Sequence, residues 1–111
     1  MKRFLVLYQS AVSAEDQMAN ATPEQMKAGM DAWMTWAGKA AGAIVELGTP
    51  LGGGRHVESG STTGGRTQIR GYSILQGSSI DDIVKHLDGH PHLTMPGASI
   101  EVLELLPMPG A

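Results

Sequence analysis

The chain has 111 residues, is 41% hydrophobic and contains no cysteine. That length suits one small core, and the missing thiols exclude disulfides, thiolate metal sites and thiol catalysis. A net charge of −3 gives no electrostatic footprint for nucleic acid or for acidic membranes. The N-terminal apolar run, Phe4 to Tyr8, is too short for a secretory h-region and is not followed by a clean small-residue cleavage site. No stretch approaches the roughly 18 apolar residues of a membrane span. The expectation is one domain over residues 1–111 in the cytoplasm.

Phe4 to Tyr8 is apolar at every position, as expected of a strand buried on both faces. Residues 9–21 are small and polar and read as a loop. Thr22-Pro23-Glu24-Gln25 predicts a helix start, with Thr22 as cap, Pro23 in the first turn and Gln25 completing a capping box. The helix is expected to run to about Ala41, with Gly42 ending it. Met26, Met30, Trp33, Ala37 and Ala40 form its apolar stripe, with Trp33 as core and Trp36 at the stripe's edge. Ala43 to Leu47 reads as a second strand. Residues 48–65, with Gly52-Gly53-Gly54 and Gly64-Gly65, read as a glycine-rich hairpin or flap.

Thr67 to Gln76 predicts a third strand, with Ile69, Gly71, Ser73 and Leu75 on one face and Gln68, Arg70, Tyr72 and Ile74 on the other. Ser79 caps a second helix with Asp81 and Asp82 in its first turn, where the dipole favours acid. Its apolar residues are Ile80, Ile83, Val84 and Leu87, and Gly89 ends it. Ala98 to Leu106 is the last strand, followed by a tail, Pro107 to Ala111.

Strand, helix, strand, strand, helix, strand is the ferredoxin-like α+β pattern: a four-stranded antiparallel sheet with two helices on one face. The other face is expected to be apolar as well, from the first strand and from Leu103 and Leu105. Leaving it in water costs about 25 cal/mol per Å². A second copy packed face to face about a two-fold axis is the simplest cover.

Three pieces of the chain resemble the YCII-related family: Gly42-Ala43-Ile44-Val45-Glu46-Leu47-Gly48-Thr49-Pro50-Leu51, Gly71-Tyr72-Ser73-Ile74-Leu75, and His90-Pro91 with Gly97-Ala98-Ser99-Ile100-Glu101-Val102. The resemblance runs from Thr22 onward. It implies a dimeric α+β barrel with a cleft per subunit between helices and sheet. Some members resemble dehydrochlorinases that act on small chlorinated aromatics through a His–Asp pair on the first helix. Those two positions fall on Asp31 and Ala40 here, and the Asp-Gly-Pro-Phe motif of another branch is missing.

Three of the four histidines, His86, His90 and His92, cluster near the last strand. Their spacing suggests a zinc site only weakly, because the helix stop at Gly89 and Pro91 leave the geometry open; no metal and no cofactor are expected. A general acid or base needs a titratable group in a cleft, and His is the default. His92 and His90 are therefore the first candidates for catalysis. For His90 the structural alternative is a helix C-terminal residue favoured by the dipole; His92 has no evident structural role. Asp31 follows, although Lys27 one turn away offers it an ion pair. Arg70, Tyr72 and Trp36 are the ligand-binding candidates: Arg70 can fork onto a carboxylate or phenolate or pair with Glu101 across the sheet. The glycine run before Arg55 lacks the lysine and serine of a phosphate loop.

Two functions are open at this point. One is a homodimer that binds a small aromatic or acidic ligand, with cofactor-free proton transfer such as elimination or isomerisation. The other is a non-catalytic accessory or regulatory dimer. A pocket shared by Trp36, Arg70, Tyr72 and His92 favours the first; their separation favours the second.

Overall fold

The computed structural model describes residues 1–110; Ala111, the end of the expected tail, lies outside the described residues. The strands are β1 (Lys2–Gln9), β2 (Ile44–Glu46), β3 (Arg55–Glu58), β4 (Ser61–Gly64), β5 (Ile69–Gly77) and β6 (Ser99–Glu104). The helices are α1 (Ala14–Asn20), α2 (Pro23–Lys39) and α3 (Ile80–His86), with a 3-10 turn at Pro91–Thr94 before β6. The main sheet has the order β2-β5-β1-β6, and its paired strands are antiparallel. With α1 and the β3–β4 hairpin set aside as insertions, this is the ferredoxin-like arrangement.

Alternation along β1 decides what the sheet buries. Phe4, Val6 and Tyr8 are buried and lie opposite Leu75, Ser73 and Gly71 on β5. On β6, Val102 and Ile100 face Val6 and Tyr8. Trp36 from α2, Ala40 at its C-cap, and Ile83 and Leu87 around α3 close the core over this face. The other face carries Leu5 against Ile74 and Leu103, and Leu7 against Tyr72 and Glu101. Leu5 and Leu7 are only half-buried, so in the single chain β1 is not covered on both sides as its unbroken apolar run suggests.

The capping box at Thr22 and Gln25 forms as the sequence predicts: Gln25 N–H donates to Thr22 Oγ1 at 3.1 Å, and Thr22 N–H to Gln25 Oε1 at 2.9 Å. The first turns of α2 project past the sheet, so Met26 and Met30 are exposed and the stripe packs only from Trp33 onward. The two tryptophans exchange the places read from the sequence. Trp36 is 6% exposed and in the core, with its indole N–H donating to the His86 carbonyl at 2.7 Å. Trp33 is half-buried at the edge.

Residues 9–21 are not simply a loop. β1 continues to Gln9, and α1 begins after Ser13, whose hydroxyl accepts the Asp16 N–H at 3.1 Å. Only Ala14 of this helix is buried, so it has no apolar stripe to betray it. The β3–β4 hairpin is exposed except at His56, which is half-buried, and forms a separate two-stranded sheet. The radius of gyration, 15.5 Å with extents of 46 × 46 × 20 Å, exceeds the roughly 13 Å of a compact chain of this length, as these projections require.

The short strand β2 is held by side chains as much as by its ladder. Its register to β5 slips between Ile44 and Glu46. Beyond the slip, Ser73 Oγ donates to the Leu47 carbonyl at 2.6 Å and Tyr72 OH to Glu46 Oε1 at 2.5 Å. Gly48 follows with φ +81°, and a Cβ there would overlap the Tyr72 carbonyl. Only glycine combines that dihedral with that approach.

Candidate functional site

The predicted histidines come to rest at the junction of β1, α2 and the 3-10 turn. His90 is fully buried, with its ring 4.3 Å from Trp36, 4.5 Å from Trp33 and 5.0 Å from Tyr8, measured between centroids. Its Nδ1 accepts the backbone N–H of His92 at 3.0 Å, which makes His90 the cap of the 3-10 turn rather than a helix-end residue beside the α3 dipole. An accepting Nδ1 carries no proton, so neutral His90 bears its proton on Nε2. That Nε2 is buried and has no hydrogen-bond partner. Burial, and secondarily the charge of neighbouring His92, push His90 down to about 4 from the ordinary 6.5, so it is uncharged at neutral pH. With Nδ1 engaged and Nε2 protonated, His90 is a hydrogen-bond donor and not a general base.

His92, also buried, has a structural role that its sequence neighbourhood does not reveal. Its Nε2 lies 2.9 Å from the Gln9 carbonyl and 3.0 Å from the Ser99 carbonyl. Both partners are acceptors, so Nε2 carries the proton and donates to both. The ring thereby ties the C-terminal end of β1 to the start of β6.

Beneath the cluster, Tyr8 OH lies 2.8 Å from Ser73 Oγ. Ser73 directs its one proton to Leu47, so the phenol is the donor in this pair. Burial pushes the Tyr8 phenol up to about 12, and it stays protonated at any pH the fold meets in a cell.

The remaining candidates lie elsewhere. Asp31 is exposed and bound to Lys27 at 2.9 Å on the outer side of α2. His86 is exposed, and His56 pairs with Glu58 on the hairpin at 2.9 Å. Among the described residues no three His, Asp or Glu side chains come together as a metal site. Tyr72 is on the open sheet face, where the hydrogen bond to Glu46 raises its pKa. Arg70 does not pair with Glu101. Its Nε donates to the Ser10 carbonyl at 2.8 Å and an Nη to the Ala11 carbonyl at 3.3 Å. Trp36 and His92, on the helix side, are thus separated from Arg70 and Tyr72, and the four do not line one pocket.

Arg70 instead walls a cleft of about 370 Å³ at the start of β5, between the start of α1 and the glycine-rich loop; Ser13, Glu15, Leu51 and Gly52 are among its other walls. Of these, Glu15 carries no signal in the sequence, since α1 itself is not legible there.

No protein-family model matches the chain, and no curated protein matches it. Among solved structures the chain is similar to the 5-chloro-2-hydroxyhydroquinone dehydrochlorinase TftG from Burkholderia phenoliruptrix AC1100, in complex with 2,5-dihydroxybenzoquinone. The two share 16% identity over 91% of each chain, with a TM-score of 0.48. The ferredoxin-like assignment therefore rests on the strand order and pairing described above. Among the described residues no helix is long and apolar enough to cross a membrane.

Proposed function

We propose that the chain is a YCII-related homodimer, one domain over residues 1–111, that binds a small acid in the cleft walled by Arg70 and works in the cytoplasm without a cofactor. The observation that carries this reading is the state of Arg70. Two bonds to the carbonyls of Ser10 and Ala11 fix its guanidinium, and no carboxylate among the described residues pairs with it. A cation held in place with donors to spare suits a carboxylate, which such a fork binds with charge-assisted hydrogen bonds. The second copy is inferred from the open face, where Leu5, Leu7, Ile74 and Leu103 adjoin in register.

Isothermal titration with acetate, benzoate and succinate, on the wild type and Arg70→Gln, tests the site. Binding of at least one acid, lost on substitution while circular dichroism stays unchanged, is expected. Absence of binding by all three, or equal binding by the variant, overturns it.

A second reading, cofactor-free proton transfer, is favoured by the ring nitrogens of the buried cluster. His92 Nδ1 has no hydrogen-bond partner among the described residues while its Nε2 is engaged, which leaves it a lone pair able to accept a proton, whereas His90 Nε2–H is enclosed by its neighbours. The separation of Trp36 and His92 from Arg70 and Tyr72 counts for the non-catalytic dimer instead.

A further inference from the structure

We infer that the Arg70 cleft takes a zwitterion, with a carboxylate on Arg70 and an ammonium on Glu15, so that a free α-amino acid is the class of ligand it fits. This rests on the small-acid reading above and adds the second charge.

Both charged side chains line the same cleft. Neither forms an ion pair, with the other or elsewhere: the ion pairs among the described residues are Lys2–Glu104, Lys27–Asp31 and His56–Glu58. Two opposite charges facing one space and left unjoined are complementary to a ligand carrying both signs, and a ligand of one sign satisfies only one of them.

The two hydroxyls of the lining each accept one backbone N–H. Ser13 Oγ accepts the Asp16 N–H as the cap of α1, and Thr67 Oγ1 accepts the Ile69 N–H. Glu15 and Arg70 are the two charged groups of the lining, and they set the charge of the ligand it fits. Their placement is built into the chain. Arg70 is anchored on the turn that leads into α1, and Glu15 sits in the first turn of that helix. Its carboxylate lies against Gly52, where a Cβ would collide with it. A side chain at that position would displace the Glu15 carboxylate, the free end of an exposed side chain. Gly53, Gly54 and Gly65 continue the lining with backbone alone, which leaves space for the body of a small ligand. The volume, about 370 Å³, is at the small end of ligand sites, which run from about 300 to 1,000 Å³.

The test is calorimetric titration of the full chain with L-alanine, L-leucine and L-phenylalanine, each beside its N-acetyl and its amide derivative. The free amino acid that binds best is expected to lose tenfold or more in affinity on N-acetylation, which removes the ammonium, and tenfold or more on amidation, which removes the carboxylate. Glu15 is exposed and pairs with nothing, so Glu15→Gln folds as the wild type does. That variant is expected to bind the free and the N-acetylated forms equally. If the wild type binds the N-acetyl acids as tightly as the free ones, the zwitterion assignment falls while the small-acid site stands. If the amides bind as well as the acids, or if none of the nine compounds binds while the simple acids do, the zwitterion assignment falls again. Failure of the simple acids as well removes the site altogether.

Discussion

Arg70 and His92 grip consecutive carbonyls at the exit of β1, the imidazole holding Gln9 and the guanidinium holding Ser10. The two side chains come from either side of β1, one from the start of β5 and the other from the turn before β6. They fix the point at which the chain leaves the sheet for α1. His92→Ala is expected to cost about 2–3 kcal/mol, because two carbonyls at the edge of the core lose their donor. Hydrogen exchange should show faster opening at the Gln9 and Ser99 ends of β1 and β6 than at their middles. Uniform protection along β6 in the variant would contradict the tether.

Acid should weaken the fold through His90. The folded imidazole takes its second proton only near pH 4, against 6.5 for the ordinary side chain. The unfolded chain therefore binds more protons throughout that interval, and stability falls as the pH drops from about 6.5 towards 4. Asp82 is held below its usual 3.8 by the Ser78 hydroxyl, so its contribution is lost only at lower pH. Urea unfolding of the wild type at pH 7 and pH 4.5 should show the drop. His90→Asn keeps a cap acceptor and does not titrate. It should cost about 2–3 kcal/mol at pH 7 through the cavity it leaves, yet show little change between the two pH values.

Tyr8 and Ser73 are expected to respond unequally. Tyr8→Phe removes a donor whose partner, Ser73, still has Leu47, and should cost about 1 kcal/mol. Ser73→Ala strands both the buried phenol and the Leu47 carbonyl and should cost about 2–3 kcal/mol. The double variant should cost less than the sum, because the phenol left stranded by Ser73→Ala is then absent. Equilibrium urea titration of the three variants measures all of this, and strict additivity would mean that the chain of hydrogen bonds is not coupled.

Two glycines with positive φ should differ sharply. Gly53 (φ +55°) has open space on the side where a methyl group would project, with no atom within 4 Å, whereas a Cβ on Gly48 would run into the Tyr72 carbonyl. Gly53→Ala should cost about 1 kcal/mol, the penalty of a left-handed alanine. Gly48→Ala adds a backbone collision and should cost about 3 kcal/mol or more, visible as a lower melting temperature or as loss of soluble protein. Similar melting temperatures for the two variants would count against the β2–β5 arrangement.

The open sheet face gives a prediction about assembly. Leu5→Glu places a charge in the middle of the apolar row formed with Ile74 and Leu103. Sedimentation velocity at micromolar concentration should show a dimer for the wild type and a single subunit for the variant. A wild type that sediments as a single subunit would remove the dimer from the proposed function.

Local signals in the sequence are readable wherever the physics is local. The Thr22–Gln25 box, the cap at Ser79 and the alternation from Ile69 to Leu75 each depend on residues a few positions apart, and each appears in the structure. The order of four strands and two helices then leaves few sheets to choose from. What escapes is set by contacts distant in the chain. Nothing near His92 names the Gln9 carbonyl, 83 residues away, so the imidazole looks free for chemistry. Nothing near Arg70 names Ser10. The exchange of Trp33 and Trp36 reflects how far α2 overhangs the sheet, which helical spacing does not encode. The helix α1 has a cap but no apolar stripe, and periodicity is silent without one.

The β3–β4 hairpin touches little besides itself, and Gly60 at its tip has φ +79° and open space around it. A loop that enters and leaves the fold at neighbouring points, Gly54 and Gly65, tolerates replacement of everything beyond its neck. A fluorescent reporter or an affinity epitope spliced between Ser59 and Ser61 should therefore be carried as a passenger, with the amide spectrum of the main sheet unchanged.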